Sequence, residues 1–212
     1  MDLRHPISTV IATLDGPVLA VLARTSMPLT GRKIHQLAES GSETGVRKVL
    51  HRLASTGLVT ATEVGASTQY LLNRQHVAAD AVIELLDLRG RLIERMRQAI
   101  EAEWAEKPWA ACLFGSAARG DGGPDSDIDL LVVRPTDHID PPWEQQVSSL
   151  SDGVHAWTGN HLQVYDVSPG ELRTHIESGE PIVKDWLRDC VTVYGEDFRQ
   201  LRNRLAHKGI EQ

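Results

Sequence analysis

The sequence predicts an α+β protein of two domains joined by a long helix, and three observations lead to this fold class. In the first third, three stretches with helical apolar spacing precede two β-rich stretches separated by a glycine-containing turn. Residues 76–105 carry apolar side chains at steps of three or four, with one glycine and no proline. After residue 107, apolar runs of strand length alternate with turns and helical stretches. The predicted domains are 1–75 and 107–212, with a linker helix over 76–106.

Composition and charge narrow the class of protein. The 212 residues are 41% hydrophobic and 24% charged, which is typical of a soluble globular chain. No stretch resembles a signal peptide or a membrane span, and the two cysteines, Cys112 and Cys190, lie far apart in sequence. We therefore expect a reduced, cytoplasmic protein without a membrane partner.

The charge is unevenly distributed along the chain. Residues 1–75 hold 8 basic and 5 acidic side chains of the total 22 and 29, which leaves 14 basic and 24 acidic in the remainder. A net charge of +3 in the first part favours a polyanionic partner. The net charge of −10 in the second part favours cations or cation-bound ligands.

Three helices are predicted in the first third. The first spans about residues 14–22, and the second begins at Thr30, a suitable N-cap, and ends at residues 40–41. The third begins with a capping box from Ser40 to Glu43, with Ser42 as the alternative cap, and ends at Gly57. A β-hairpin follows over residues 58–72.

Residues 45–59, GVRKVLHRLASTGLV, resemble the recognition helix and wing entry of winged-helix bacterial transcription regulators. The resemblance covers roughly residues 10–75 and implies a winged helix-turn-helix that binds double-stranded DNA. Side chains near the start of the third helix would reach base edges, and later basic ones would contact phosphates. The predicted DNA-binding residues are Ser42, Thr44, Arg47, Lys48, His51 and Arg52. Two alternatives remain, a solvated charged helix face and a winged helix that binds protein.

The predicted linker helix carries one apolar stripe. Its members are Leu85, Leu88, Leu92, Met96 and Ile100, and Gly90 marks a kink. The stripe packs either against the same helix of a second copy, which would make a homodimer, or inside its own chain.

A glycine-rich turn between two apolar strands is the main chemical feature of the second domain. Residues 110–114 predict a buried strand, and a second strand begins at Asp127 and runs to residue 133. Because side chains alternate along a strand, Asp127 and Asp129 project to the same side. Two adjacent carboxylates repel one another unless a cation lies between them, so the pair predicts a divalent metal site.

Gly115-Ser116, followed by ten residues and then Asp127-x-Asp129, resembles the signature of polymerase-β-like nucleotidyltransferases. The minimal (MNT-type) branch, which includes toxin–antitoxin members, is the most similar, and the resemblance covers about residues 108–200. It implies a small mixed sheet, Mg²⁺ held by Asp127 and Asp129, and an NTP, with ATP favoured, bound through Gly115 and Ser116. Arg119 would either neutralise phosphate or brace the loop.

The resemblance also implies a third carboxylate on a neighbouring strand, where this sequence departs from the pattern. That position falls on Gln163, and the nearby Asp166 projects to the opposite face of the strand. A neutral amide brings no charge and cannot act as a base. Either a bulge recruits Asp166, or the metal site is weakened and the domain binds nucleotide with little transfer.

Two main functions follow from these residues. The first is an Mg²⁺-dependent nucleotidyltransferase that adds AMP to a protein, RNA or small-molecule hydroxyl and carries a DNA-binding winged helix. The alternative is a transcriptional regulator or antitoxin-like protein whose nucleotidyltransferase-like domain senses nucleotide. An aminoglycoside-type resistance transferase shares the same signature and is disfavoured by the winged helix.

Overall fold

A computed structural model describes residues 1–207, which form two compact units with mixed helix and sheet content, as the α+β prediction expects. One unit holds Asp2 and residues 4–88, and the other holds Met1, Leu3 and the described residues from Arg89 onward. Within the described part of the chain, no helix combines the length and apolar character needed to cross a bilayer.

The first unit begins with a 3-10 turn, and its helices precede a small antiparallel sheet. Three strands pair in the order β1-β3-β2. Its elements are the turn Pro6–Thr9, α1 (Asp15–Ala23), β1 (Leu29–Thr30), α2 (Gly31–Ala38), α3 (Glu43–Ser55), β2 (Val59–Val64), β3 (Ser67–Leu72) and α4 (Ala79–Leu86). The core is made by one apolar stripe from each helix, chiefly Val18, Leu22, Ile34, Val46, Leu50 and Val82.

Side-chain caps define the starts of α2 and α3. The Thr30 hydroxyl accepts the backbone N–H of Lys33, as its predicted capping role requires. The hydroxyl of Ser42, not that of Ser40, accepts the N–H that opens α3, so the capping box predicted from Ser40 is wrong and the alternative cap is confirmed. The physical reason lies at Gly41, whose φ of +69° turns the chain after Ser40 and delays the start of the helix.

The linker helix predicted over residues 76–106 is two helices, which is a correction to the sequence analysis. Helix α4 ends at Leu86, Asp87 is non-helical, and α5 (Leu88–Glu103) begins at once, with Gly90 inside it. Helix α4 packs in the core of the first unit, and the stripe of α5 is buried in the second. This is the predicted intramolecular alternative. The stripe residues Leu92, Met96 and Ile100, at most 4% exposed, are therefore not available for a homodimer.

The second unit is a four-stranded mixed sheet covered by helices. The strand order is β6-β5-β4-β7, in which β5 and β6 run parallel and the other pairs antiparallel. After α5 its elements are β4 (Ala110–Phe114), α6 (Gly115–Arg119), β5 (Ile128–Val133), α7 (Pro141–Thr158), β6 (Leu162–Val167), α8 (Pro169–Ser178), α9 (Pro181–Asp189), β7 (Val191–Gly195) and α10 (Phe198–His207).

The two faces of this sheet bury different side chains because residues alternate along each strand. On one face, Leu113, Leu130 and Val132 pack with the stripe of α5 and with apolar residues of α7. On the other, Leu131 packs with Trp186 of α9 and residues of α10. We call these the α5/α7 face and the α9/α10 face. The second carries the predicted acidic pair.

Candidate active site

A glycine turn at the end of β4 forms the floor of the candidate site. Gly115 follows Phe114 directly, and its φ of +65° lies in the left-handed region that favours glycine. A Cβ atom at this position would collide with Oδ2 of Asp129. Glycine is therefore required both by the backbone conformation and by the carboxylate that lies against it.

Asp127 and Asp129 flank a residue that points into the core. Ile128 between them is fully buried on the α5/α7 face, so alternation directs both carboxylates to the α9/α10 face. Burial, followed by the charge of Asp127, raises the pKa of Asp129, and Arg119 acts in the opposite direction. Within residues 1–207, no ion pair joins Asp127 or Asp129 to a basic side chain. The pair thus has no basic ion-pair partner in the described residues, and the charge of Arg119 offsets it only in part.

Of the two candidates for the third position, the structure places Gln163 beside the pair. Gln163 lies opposite Asp129 in the parallel β5–β6 register, and its Nε2 donates to Oδ2 of Asp127 at 3.5 Å. The register runs without interruption from Ile128 to Val133, so no bulge brings Asp166 to this face.

Asp166 belongs to a separate network on the α5/α7 face. Its two carboxylate oxygens accept from Arg134 Nη1 at 3.1 Å and from Trp143 Nε1 at 2.8 Å. Arg134 also donates to Glu171 at 2.7 Å, and its side chain is 4% exposed. The predicted recruitment of Asp166 to the metal site is therefore wrong, because its carboxylate holds a buried guanidinium in place.

The donor set fits a magnesium ion shared with a nucleotide. No cluster of three or more His, Cys, Asp or Glu side chains that could hold a metal occurs in the described residues. Mg²⁺ is commonly held by one or two carboxylates and completes its shell with substrate phosphates and water. Asp127 and Asp129 meet that requirement, and their mutual repulsion is relieved when a cation lies between them.

The loop between α6 and β5 folds back over Ser116. The backbone N–H groups of Gly120 and Asp121 both donate to the Ser116 carbonyl, at 2.9 and 3.1 Å. A Cβ atom on Gly122 would lie 3.1 Å from the Ser116 hydroxyl. The loop thus approaches the hydroxyl closely, and glycine keeps the space above it open.

Arg119 braces the site through two carboxylates. Its Nη1 donates to Asp189 at 2.6 Å and its Nε donates to Asp121 at 3.0 Å. Asp189, at the end of α9, has a 3% exposed side chain, and hydrogen bonds from Arg188 and then Arg119 lower its pKa. These contacts agree with the bracing alternative for Arg119, and its 41% exposed side chain also lowers the pKa of Asp129 through its charge.

Sequence reasoning missed three residues around the site. Asp189 anchors Arg119, Arg89 donates to the carbonyl of Ala118, and Asn160 bonds the loop before Asp127. Each acts across a long sequence separation, and none belongs to a motif. The sequence held one signal, an asparagine directly after a glycine that ends a helix. The same pair of residues is equally typical of an ordinary turn.

The predicted DNA-binding residues lie at the start or on the exposed face of α3. The Ser42 hydroxyl is already engaged as the helix cap. The side chain of Arg47 is 72% exposed, and its Nη2 lies 3.6 Å from Oε1 of Glu43. Arg52 forms an ion pair with Asp15. The remaining exposed members are Thr44, Lys48 and His51.

Comparison with known proteins identifies the domain that surrounds the acidic pair. Residues 93–178 match the family model of the nucleotidyltransferase domain, which covers Gly115, Ser116, Asp127, Asp129 and Gln163. This region, less than half of the chain, is therefore similar to nucleotidyltransferase domains. No curated protein matches the chain.

Two of the solved structures that align with part of this chain are toxin–antitoxin proteins. One is a tri-AMPylated Shewanella oneidensis HEPN toxin in complex with MNT antitoxin. The sequence identity is 15%, the alignment covers 57% of this chain and 83% of that chain, and the TM-score is 0.35. The other is a toxin–antitoxin with AMP-PNP. The sequence identity is 18%, the alignment covers 55% of this chain and 83% of that chain, and the TM-score is 0.36. At these scores neither likeness adds to the assignment, which depends on the family model and the site.

Proposed function

We propose that the second unit is an Mg²⁺-dependent nucleotidyltransferase that uses an NTP, with ATP as the first choice, and transfers the nucleotidyl group to a hydroxyl. The observation that carries this proposal is the acidic pair. Asp127 and Asp129 face one side of the sheet, lie beside the Gly115 turn and have no basic ion-pair partner in residues 1–207. An acidic pair of this kind disfavours the metal-free state and favours binding of a cation with its phosphates.

The chemistry assigns a role to each residue. The acceptor oxygen forms a bond to the α-phosphorus, the bond from that phosphorus to the bridging oxygen breaks, and pyrophosphate leaves with its electron pair. Asp127 and Asp129 would hold Mg²⁺, which offsets charge on the phosphate oxygens. Gly115 lets the backbone approach the triphosphate, and the Ser116 hydroxyl donates to a terminal phosphate oxygen.

Gln163 limits how the acceptor loses its proton. Its amide donates to Asp127 and has no basic oxygen that could take up a proton at neutral pH. The acceptor proton therefore passes to water or to a base on the acceptor itself. We expect transfer that is slow unless the acceptor hydroxyl is activated by its own surroundings. Protein, RNA and small-molecule hydroxyls are the acceptor classes to compare.

Label transfer tests this proposal directly. The protein is incubated with each α-labelled NTP, Mg²⁺ and cell lysate, and labelled products are separated into protein, RNA and small molecules. We expect label with wild type, loss with Asp127→Asn, and no change with Asp152→Asn, an exposed α7 carboxylate that controls for charge. If neither wild type nor Gln163→Asp transfers label, the proposal is wrong.

A second candidate function is a nucleotide-responsive DNA-binding regulator. Two observations favour it, namely the amide at the third position and the cationic exposed face of α3. The order of α1, β1, α2, α3 and the β2–β3 hairpin is the order expected of a winged helix-turn-helix, which supports this proposal. In this proposal, α3 enters the major groove and the acidic pair reports on nucleotide rather than transferring it.

DNA affinity at several salt concentrations tests this second function. Arg47→Ala and Lys48→Ala are compared with Arg24→Ala, which removes one exposed positive charge at the end of α1. Loss of a phosphate contact should weaken binding and reduce the salt slope by about 0.9. Equal behaviour of all three variants would rule out α3 as the DNA-reading helix. Binding that ignores added NTP would rule out the nucleotide response.

A further inference from the structure

We propose that Asn160 is a positioning residue for Asp127 and that it sets the spacing of the acidic pair from outside the signature motif. This inference rests on the proposed function of the pair as a metal–nucleotide site. Asn160 lies between α7 and β6 and is only 3% exposed. It belongs neither to the glycine turn at Gly115 nor to β5, which carries Asp129.

The two acidic residues differ in how firmly the fold holds them. Asp129 is part of β5 and is paired with Phe114 on one side and Gln163 on the other. Asp127 precedes the strand, at the end of a loop that contains Gly120, Gly122 and Gly123. Glycines leave a loop with many accessible conformations, so Asp127 stays beside Asp129 only if the loop is held by other contacts.

Asn160 supplies two of those contacts with one nitrogen. Its Nδ2 donates to the carbonyls of Pro124 at 3.0 Å and Ser126 at 2.9 Å, and Ser126 directly precedes Asp127. Its Oδ1 accepts from the nitrogen of Met1 at 2.5 Å, which fixes the orientation of the amide. Because the side chain is buried, water cannot replace these donors without cost.

Leu3 anchors the other end of the same loop. Its backbone N–H donates to the carbonyl of Gly122 at 3.0 Å, and its side chain, 4% exposed, packs in the core of the α5/α7 face. Inside the loop, the Ser126 hydroxyl accepts the N–H of Gly123 at 3.0 Å. The loop is thus held at residues 122, 124 and 126, and two of these three points depend on Asn160.

The test measures metal-dependent nucleotide binding, which does not require turnover. Calorimetry with α,β-methylene-ATP is carried out with Mg²⁺ and, separately, with EDTA. Asn160→Asp keeps the size of the side chain and the Met1 contact but removes both donors. The substitution also adds a negative charge, which by itself would strengthen cation binding, so a weakening cannot be due to the charge. We expect binding in Mg²⁺ to weaken roughly 10-fold or more, as for other residues that orient metal ligands, with binding in EDTA unchanged.

Controls separate positioning from general stability and from the proposed function. Ser168→Ala removes a buried, hydrogen-bonded polar side chain at the start of α8 and should leave Mg²⁺-dependent binding unchanged. Asp127→Asn should lose it. If Asn160→Asp does not fold, Asn160→Ala is measured in its place, with the thermal transition as the check on folding.

The outcomes are distinguishable. If wild type shows no difference between Mg²⁺ and EDTA, the proposed function fails and this inference fails with it. If Asp127→Asn loses the Mg²⁺ effect but the Asn160 variants keep it within about twofold, the site stands and the positioning role is wrong. If the Asn160 variants weaken binding equally in EDTA, Asn160 acts on the fold as a whole and the inference is overturned.

Discussion

The two faces of the central sheet in the second unit carry aspartates in opposite circumstances. On the α9/α10 face, Asp127 and Asp129 lie together without an ion pair, and the charge of Arg119 offsets theirs only in part. On the α5/α7 face, Asp166 accepts from Arg134 and Trp143, with Glu171 completing the network. Both sets come from β5 or β6 and their flanks, within one uninterrupted strand register.

The difference separates an acid that stabilises the fold from the two acids for which we propose a ligand. Asp166 compensates a buried guanidinium, so its removal would leave that charge with less support. Asp127 and Asp129 gain nothing comparable from the protein, and burial and mutual repulsion raise the pKa of Asp129. Removal of an acid should therefore cost activity on one face and stability on the other.

Asp127→Asn should have the largest effect, on activity. Loss of one ligand removes several kcal/mol of charge stabilisation, so label transfer should fall roughly 10³-fold. The free energy of unfolding should stay within about 0.5 kcal/mol of wild type, because Asp127 has no ion pair to lose in the described part of the chain. A variant that retains a tenth or more of wild-type transfer would contradict the metal-ligand role.

Asp166→Ala should show the reverse pattern. It leaves the Arg134 guanidinium, with its 4% exposed side chain, supported by Glu171 alone and removes the acceptor for Trp143 Nε1. We expect a loss of about 3 kcal/mol in urea unfolding. Transfer activity per folded molecule should change less than about twofold. A stable but inactive Asp166→Ala protein would mean that the two faces are not independent.

Gln163→Asp tests whether the third position on the α9/α10 face limits the reaction. The new carboxylate lies where Gln163 now donates to Asp127, so it can share a cation and accept the hydroxyl proton. We expect the transfer rate to rise roughly 100-fold, at the low end for a general base. Gln163→Glu and Gln163→Ala are the matched controls, and an equal rate in all three would show that deprotonation does not limit transfer.

Asp129→Asn should give the smallest effect, a gain in stability measured in EDTA. The folded-state pKa of Asp129 is raised, so its protonated form is favoured in the fold, and that contribution is lost as pH rises through the folded pKa. The amide mimics the protonated form. At pH 7 the variant should be more stable than wild type, and this difference should shrink as pH falls through the folded-state pKa and vanish below the ordinary pKa of an aspartate, about 4. A difference that does not depend on pH would assign the gain to packing.

Local patterns predicted much of the fold. Short apolar runs predicted β4 and β5, and the alternation of side chains along a strand put Asp127 and Asp129 on one side. Thr30 marked the start of a helix and Gly57 the end of another, because caps and stops are local. The position of Gln163 beside the pair followed from the family resemblance and strand periodicity and agrees with the register.

Contacts across long sequence separations were not predictable in this way. The apolar stripe continues through Asp87, so periodicity gave no sign that the helix breaks there or that its two parts enter different cores. Arg134, at the end of an apolar strand, and Asn160, after a helix stop, have roles only because the fold brings distant carbonyls and carboxylates to them.

The burial of α5 has a practical consequence for dissecting this protein into fragments. The family model begins at residue 93, but Leu92, with its neighbours on the stripe, lies in the core of the α5/α7 face, and Arg89 bonds to the residue before Arg119. A fragment that starts at residue 107 would lack one wall of that core. A fragment that starts at residue 88 keeps the wall but loses Leu3, so a transplantable version of this unit needs a replacement for that side chain.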